Sequence, residues 1–359
     1  MKQSKTSFGN IPTVKKIAVI ISQMEEACQS LIWDGIYQTA QKKGVTVVAF
    51  PALSGNSIIS HYPLIADFIN GGNFTDVILF SGAMSEYTNW SVVERYVDTI
   101  ELPVVSIGGM LKNAQSSIVV DNKDGIIQLV SHLAQHHEKK RIGFLKGPES
   151  NDEALERLDA YIAGLKENHL SYDSSIIFQG SFSAESGRDA ARTIVKRNIS
   201  LDALVCADDE SAIGAIKEFQ RHNIHPPTDI IVTGFDDVPQ AEMFSPSLTT
   251  VRQPFYEMGV AAVEAVLNHG GRSVIVKPTI FVPRNSCGCI HHSVQEFRKT
   301  LPRMDNDTPP SPARIVATLE PVIKESLKTM RYYSAESITT YRHFLENAIK
   351  KYIMTFLAP

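Results

Sequence analysis

The sequence predicts an α/β protein of two doubly wound parallel-sheet lobes followed by C-terminal helices, and three observations carry that prediction. From Lys15 to about Cys289, short β-branched runs alternate with amphipathic stretches of helical length. The runs are too short for helices and are bounded by Gly, Pro, Asp or Ser, the pattern of strands buried on both faces. Seven or more such units exceed what one sheet needs. Two sheets facing each other across the carboxyl ends of their strands would enclose a cleft, which is where open α/β sheets bind ligands.

In chain order, the strand candidates are Ile17–Ile21, Val45–Phe50, Val77–Phe80, Val104–Ile107, Ile142–Leu145, Ala203–Cys206 and Ile230–Val232. The helix candidates between them are Glu26–Lys43, Ile58–Asn70, Ser91–Thr99, Asp124–His136, Asp152–Asn168, Ala184–Arg197, Glu210–His222 and Tyr256–Asn268. Lys43-Gly44 ends the first helix with a cation in the last turn and a glycine beyond it. The stretch from Pro302 to Pro312 is proline-rich and polar and reads as a linker. Two amphipathic helices are expected after it. Ile315, Leu319, Val322, Ile323 and Leu327 share one face of the first, and Ile338, Tyr341, Leu345, Ile349, Tyr352 and Phe356 share one face of the second.

Composition narrows the function classes. The chain has 359 residues, 43% of them hydrophobic, and a formal net charge of −4. That balance lacks the basic surplus of a dedicated nucleic-acid binder, and Lys139-Lys140-Arg141 reads as a solvated helix end. No apolar run reaches the roughly 18 residues of a membrane span, and Met1 to Val14 is polar, without a signal-peptide core. The expected location is therefore the cytoplasm. Four cysteines make no disulfide framework, and Cys28 and Cys206 read as buried thiols.

Several blocks share their order and spacing with a known family. They are Lys16-Ile-Ala-Val-Ile-Ile-Ser22 with Trp33-Asp34-Gly35-Ile36, Val119-Val-Asp-Asn-Lys-Asp-Gly125, and His137 through Ile142-Gly-Phe-Leu-Lys-Gly-Pro148. Then come Glu156-Arg157-Leu158-Asp159-Ala160-Tyr161, Leu204-Val-Cys-Ala-Asp-Asp-Glu-Ser-Ala-Ile-Gly214, Ile231-Val-Thr-Gly-Phe-Asp-Asp237, Ser247-Leu-Thr-Thr-Val-Arg-Gln-Pro254 and Met258-Gly259. Over about residues 15 to 289 the chain resembles the ligand-binding core of the LacI/GalR repressor family, which has the type I periplasmic-binding-protein-like fold. The resemblance implies three crossover strands between the lobes, near Val120-Asp121, Arg252-Gln253 and Val274–Pro278. It implies a core of residues 14–289, with lobe 1 at about 14–120 and 253–276 and lobe 2 at about 121–252 and 277–289. Residues 290–312 would be a linker and 313–359 a helical signalling or dimerisation segment, whose apolar stripes fit packing on each other or on the sensor equally well.

The resemblance also assigns cleft residues, each with a plainer alternative. Asp236 would accept ligand hydroxyls, or cap the helix starting near Val238. Arg157 would bind vicinal hydroxyls or a carboxylate with its guanidinium fork, or pair with Glu153 on the surface. One of Asp208 and Asp209 would cap the next helix, and the family position matching the cleft is Asp208. Phe182 would stack on a sugar or base ring, or be an ordinary core aromatic. Gln253 and Phe255, where the chain re-enters the first lobe, and Ser22 with Gln23, at the end of its first strand, complete the ligand-binding candidates. Asp121 would be a hinge or capping residue. Met24 and Met84 near the cleft mouth suit a less polar ligand face than a sugar demands.

Other chemistry is set aside. Cys287-Gly-Cys289-Ile-His291-His292 carries four soft or borderline ligands, but its spacing is tight for one tetrahedral metal, so no metal and no cofactor is expected. Arg284-Asn-Ser-Cys-Gly-Cys289 resembles a motif that closes repressor-like sensors fused to signalling outputs. No phosphate-binding glycine loop or nucleophile elbow follows a strand, and no catalytic residue is assigned. The 14 residues before the first strand hold no helix-turn-helix, so no direct DNA binding by this chain is expected. The expected function is a sensor of a small polar ligand, saccharide-like, in a dimeric transcriptional regulator or signalling protein, with lobe closure passed to an output beyond the C-terminus. The alternatives are a solute-binding protein of a transport system and an enzyme on a borrowed fold.

Overall fold

The computed structural model describes residues 15–51, 58–85, 88–268 and 271–289, with the side chains of residues 58–62 left aside. The expected linker, the two C-terminal helices, His291 and His292 lie outside the described residues.

The chain runs β1 (Lys16–Ile21), α1 (Ala27–Lys42), β2 (Thr46–Pro51), α2 (Ile58–Gly71), β3 (Asp76–Leu79), α3 (Ser81–Ser85), α4 (Trp90–Val97), β4 (Val104–Ile107) and β5 (Ser116–Val120). It continues through α5 (Asn122–Ser131), a π-helical turn His132–His136, β6 (Ile142–Leu145), α6 (Asp152–Glu167), β7 (Ile177–Phe178), α7 (Ala184–Lys196), β8 (Ala203–Cys206), α8 (Asp209–Arg221) and β9 (Ile231–Thr233). It ends with α9 (Pro239–Met243), β10 (Thr250–Arg252), α10 (Phe255–Asn268), β11 (Ser273–Lys277), β12 (Ile280–Val282) and a helical turn Asn285–Cys287.

Two parallel sheets result. Lobe 1 holds six strands in the order β11-β5-β4-β3-β1-β2, and lobe 2 holds four in the order β7-β6-β8-β9. All pairings within both are parallel. β10 and β12 pair antiparallel beside lobe 2. Each sheet has an apolar layer on both faces. In lobe 1, Ile17, Val19 and Ile21 face α1 and α10, while Ala18 and Ile20 face the layer containing Val93 and Val97. In lobe 2, Leu204 and Cys206 face α7 and α8, while Ala203 and Val205 face the layer of α5 and α6. This alternation explains why the strands read as unbroken β-branched runs.

The chain passes between the lobes at Asp121, at Gln253-Pro254 and at Pro278-Thr279, since β5, α10 and β11 belong to lobe 1 while α5, β10 and β12 belong to lobe 2. The first and third passes are tied together. The Asp121 amide donates to the Lys277 carbonyl at 2.8 Å, and the Thr279 hydroxyl donates to the Asp121 carbonyl at 2.8 Å. Asp121 also caps α5, accepting from the amides of Lys123 and Asp124.

Two lobe-1 strands have no counterpart among the sequence candidates. β5 opens with Ser116-Ser117, whose hydroxyls mask its strand character, and β11 is an edge strand with Val274 and Val276 exposed. Met84, expected near the cleft mouth, is buried in the core of lobe 1, and Met24 packs on the opposite layer.

Helices α1 and α10 approach so closely that only glycine fits at their crossing. A Cβ on Gly35 would land on the Tyr256 carbonyl oxygen, and one on Gly259 on the Ile32 carbonyl oxygen. Gly259→Ala should therefore cost about 1–3 kcal/mol, read as a fall of roughly 2–10 °C in Tm. Gly271→Ala, where nothing lies within 4 Å, should leave Tm nearly unchanged by the same circular-dichroism melt.

Candidate functional site

The order of strands reverses beside β1 and β3 in lobe 1 and beside β6 and β8 in lobe 2. Such switch points open a crevice at the strands' carboxyl ends. Ser22 leaves β1 at one of them. Its hydroxyl is buried, with no hydrogen-bond partner among the described residues. Ala207 and Asp208 leave β8 at the other.

Arg157 is the residue around which the lobe-2 side is built. It lies on α6, which Asn151 caps by accepting from the Ala154 amide at 2.9 Å. Arg157 is 3% exposed. Its Nε donates to Asn122 Oδ1 at 2.9 Å and its Nη1 to the Ala207 carbonyl at 2.7 Å. The guanidinium lies 3.9 Å from the Phe235 ring centroid and 5.5 Å from that of Phe182. Such stacking suits a planar, weakly hydrated cation. Glu153 approaches it at 3.8 Å, but the pair is enclosed rather than on the surface.

Asp236 faces Arg157, with Oδ1 3.7 Å from Nη1, an ion pair without a direct hydrogen bond. The same oxygen accepts from Gln253 Nε2 at 2.6 Å. Asp236 has φ of 114° and Asp237 φ of 58°, both in the region that favours glycine. The backbone is held there by Asp236 N–H to the Val251 carbonyl and by Gln253 N–H to the Asp236 carbonyl. Asp236 does not cap a helix. The residue before α9 is Val238, with no side-chain cap. Burial pushes the Asp236 carboxyl up to about 7, and Asp208 and Glu153 add to the rise, against the opposing pull of Arg157 and Gln253.

Asp208 is the N-cap of α8. Its carboxylate accepts from the Ser211 amide at 3.0 Å and from the Ser211 hydroxyl. Burial raises its carboxyl above the usual range. Asp209 is fully buried and occupied by Thr250 Oγ1 at 2.6 Å and the Val238 amide at 3.0 Å. Both members of the pair thus have structural partners, and Asp208 stands close enough to Asp236 to be felt by it.

Arg157, Asp236, Gln253, Asp208 and Phe182 therefore converge. Phe182 has φ of 54° and packs where a Cβ on Gly147 would strike its ring. Phe255 does not join them: it opens α10 and packs in the lobe-1 core with Ile21, Phe80 and Met258. Sequence reasoning missed Asn122, which holds the Arg157 Nε and also donates to Glu156 at 2.9 Å, and Phe235 beneath the guanidinium. Across the cleft, Asn151 Nδ2 donates to Ser85 Oγ of lobe 1 at 3.3 Å, so the lobes touch. Cys287 and Cys289 lie elsewhere, beside His132 and His137 at the end of α5 away from the crossing.

Chemically, the site offers clustered carboxylates as acceptors, one stacked cation and aromatic faces. The fold, with a switch point in each lobe and three passes between the lobes, defines a periplasmic-binding-protein-like domain, and residues 130–287 match the family described by that name. The chain is 27% identical over 226 residues to the HTH-type transcriptional regulator MalR of Clostridium butyricum, covering 61% of this chain and 67% of that protein. It is 25% identical over 258 residues to the HTH-type transcriptional repressor PurR of Vibrio atlanticus, covering 71% and 74%. A solved complex of the transcriptional regulator CelR with cellobiose superposes with a TM-score of 0.67 at 22% identity, covering 77% of this chain and 86% of that one, and shares the fold. Together these likenesses support a ligand-binding domain of the LacI/GalR type for the described core.

A carboxyl raised by folding contributes stability that is complete below its unfolded value near 3.8 and is lost as pH rises through about 7. Asp236→Asn keeps an acceptor for Gln253 and removes the buried charge. Its Tm should exceed that of the unsubstituted protein at pH 8 by roughly 3 °C or more, and the gain should shrink towards pH 5. A pH-independent difference would contradict the raised carboxyl.

Proposed function

We propose that this domain senses a small, neutral, polyhydroxylated metabolite, a saccharide or close relative, as the effector-binding part of a transcriptional regulator. The observation that carries the reading is Arg157 at the lobe-2 switch point, over the Phe235 ring with Phe182 nearby and facing Asp236, whose carboxyl Gln253 binds beside a crossing. Asp236 Oδ1 and Arg157 Nη1 are 3.7 Å apart, a separation one ligand hydroxyl bridges by donating to the carboxylate and accepting from the guanidinium. Ser22, with its unpartnered hydroxyl, would bind the same ligand from lobe 1. The ligand would then stabilise the closed arrangement by its differential affinity for it.

Support for the regulatory role comes from the relatives, whose names are those of HTH-type transcriptional regulators, and from a similarly folded regulator bound to cellobiose. They support a role in binding rather than in turnover. A cytoplasmic location and a homodimer belong to the same proposal. Among the described residues no helix is long and apolar enough to cross a membrane.

A thermal-shift screen of monosaccharides, disaccharides including cellobiose, ribose and purine nucleosides tests the reading. One class should raise Tm by several degrees at millimolar concentration, as linkage requires for a ligand well above its Kd. Asp236→Ala and Arg157→Ala should each abolish the shift, and Asp236→Asn should weaken it. A ligand whose shift survives both alanine substitutions binds elsewhere and rejects this site.

A further inference from the structure

Four side chains far apart in sequence converge on lobe 2: His132 and His137 from the end of α5, and Cys287 and Cys289 from the last described residues. One ligand atom from each lies within 4.8 Å of all the others. The two Nε2 atoms are 3.1 Å apart. His132 Nε2 is 3.7 Å from Cys287 Sγ and 3.4 Å from Cys289 Sγ, and His137 Nε2 is 3.5 Å from Cys289 Sγ. A tetrahedral zinc with bonds of about 2.3 Å to sulfur and about 2.0 Å to nitrogen requires edges of roughly 3.3 Å for N–N, 3.5 Å for S–N and 3.8 Å for S–S. The N–N separation and the three S–N separations given follow that order and lie near those values, and the remaining pairs fall within 4.8 Å.

The backbone is shaped for this convergence. Residues five apart on an α-helix do not face the same way, but α5 ends in a π-helical turn over His132–His136, closed by His137 N–H to the His132 carbonyl at 3.3 Å. The wider turn brings the two imidazoles to one side, and such turns concentrate at functional positions. On the other strand of the site, Gly288 has φ of 92°, which lets the chain double back so that both thiols point inward. The segment is anchored from below. Arg284 Nη1 pairs with Asp237 Oδ1 at 2.6 Å and donates to the Leu248 carbonyl at 2.9 Å. Ser286 Oγ donates to the Val232 carbonyl at 2.6 Å and accepts from the Thr249 amide at 2.9 Å. All four cysteines of the chain are free thiols.

We propose that His132, His137, Cys287 and Cys289 form a closed structural zinc site that clamps the end of α5 to the segment by which the chain leaves lobe 2. Two soft thiolates and two imidazoles in tetrahedral array select zinc over the hard, oxygen-preferring cations. Two thiolates also balance a divalent ion, so the loaded cluster suits a half-buried position beside Phe281. With four protein ligands no position remains open, which makes the site structural rather than catalytic. The sequence expectation of no metal rested on His291 and His292 as the histidine donors, whereas the geometry supplies His132 and His137.

Full-length protein purified under reducing conditions without chelator tests this by elemental analysis. About one zinc per chain is expected. Replacing it with cobalt should give tetrahedral d–d absorption together with thiolate-to-cobalt charge-transfer bands. His137→Asn and Cys289→Ser, both at partly exposed positions, should lose the metal, and a strong chelator should lower Tm in the unsubstituted protein but not in these variants. The exposed neighbour His136 serves as control, since His136→Ala should retain full occupancy. Substoichiometric metal with two thiols lost to a Cys287–Cys289 disulfide overturns the proposal. So does zinc that survives His137→Asn with His132→Asn but is lost in His291→Ala with His292→Ala.

Discussion

The buried guanidinium of Arg157 is the constraint on which lobe 2 and its cleft face depend. It draws partners from separate parts of the chain: Asn122 after the first crossing, the Ala207 carbonyl at the end of β8, Asp236 beyond β9, and the rings of Phe182 and Phe235. A buried cation is tolerated only with such partners, and removing one member of a buried charge group leaves the others uncompensated. Here three carboxylates, Asp236, Asp208 and Glu153, would face one another without it, and burial already raises each of them. Arg157 therefore serves packing as well as recognition. Substitutions at Asp236 separate those two roles better than substitutions at Arg157 do.

The strain around Asp236 is supported from the same neighbourhood. Positive φ at Asp236 and Asp237 costs of order 1–3 kcal/mol each when the residue is not glycine. The backbone pairing with Val251 and Gln253 offsets part of that cost. Asp237 is fixed by Arg252 at 2.6 Å and by Arg284 at 2.6 Å. Arg284 stands three residues before Cys287, so Asp237, next to the cleft candidate Asp236, is paired to the segment that carries the cysteine pair.

Strand candidates in the sequence fell mostly where burial is two-sided, the exception being Val45–Phe50, which is the half-exposed edge strand β2. β1, β3, β4, β6, β8 and β9 each show as a continuous apolar run because helices cover both faces. β5 and β11 did not show, one because Ser116 and Ser117 are buried hydroxyls and the other because an edge strand exposes its valines. β10 and β12 span three residues each, too few for any periodicity. Arg157, Asp236 and Gln253 were legible through spaced motifs resembling a known family, not through local pattern. Asn122 and the Ala207 carbonyl were not, because a helix-start asparagine and a backbone oxygen carry no signature of a long-range partner. The cysteine pair was legible as a candidate ligand set, but its histidine partners were not. His132 and His137 sit about 150 residues earlier, and the π-turn that unites them leaves no mark on the sequence.

The tying of the three passes governs how the two lobes can move. Asp121 bonds to Lys277 and Thr279, which fastens the first pass to the third, and β10, which leads into the second, pairs Arg252 with Ile280 just beyond the third. Strands fastened in this way bend as one ribbon rather than as separate tethers. Any turning of one lobe against the other would carry these fastened segments together. A guest that prefers one lobe arrangement would then need only to tip an existing balance, not to build a new interface.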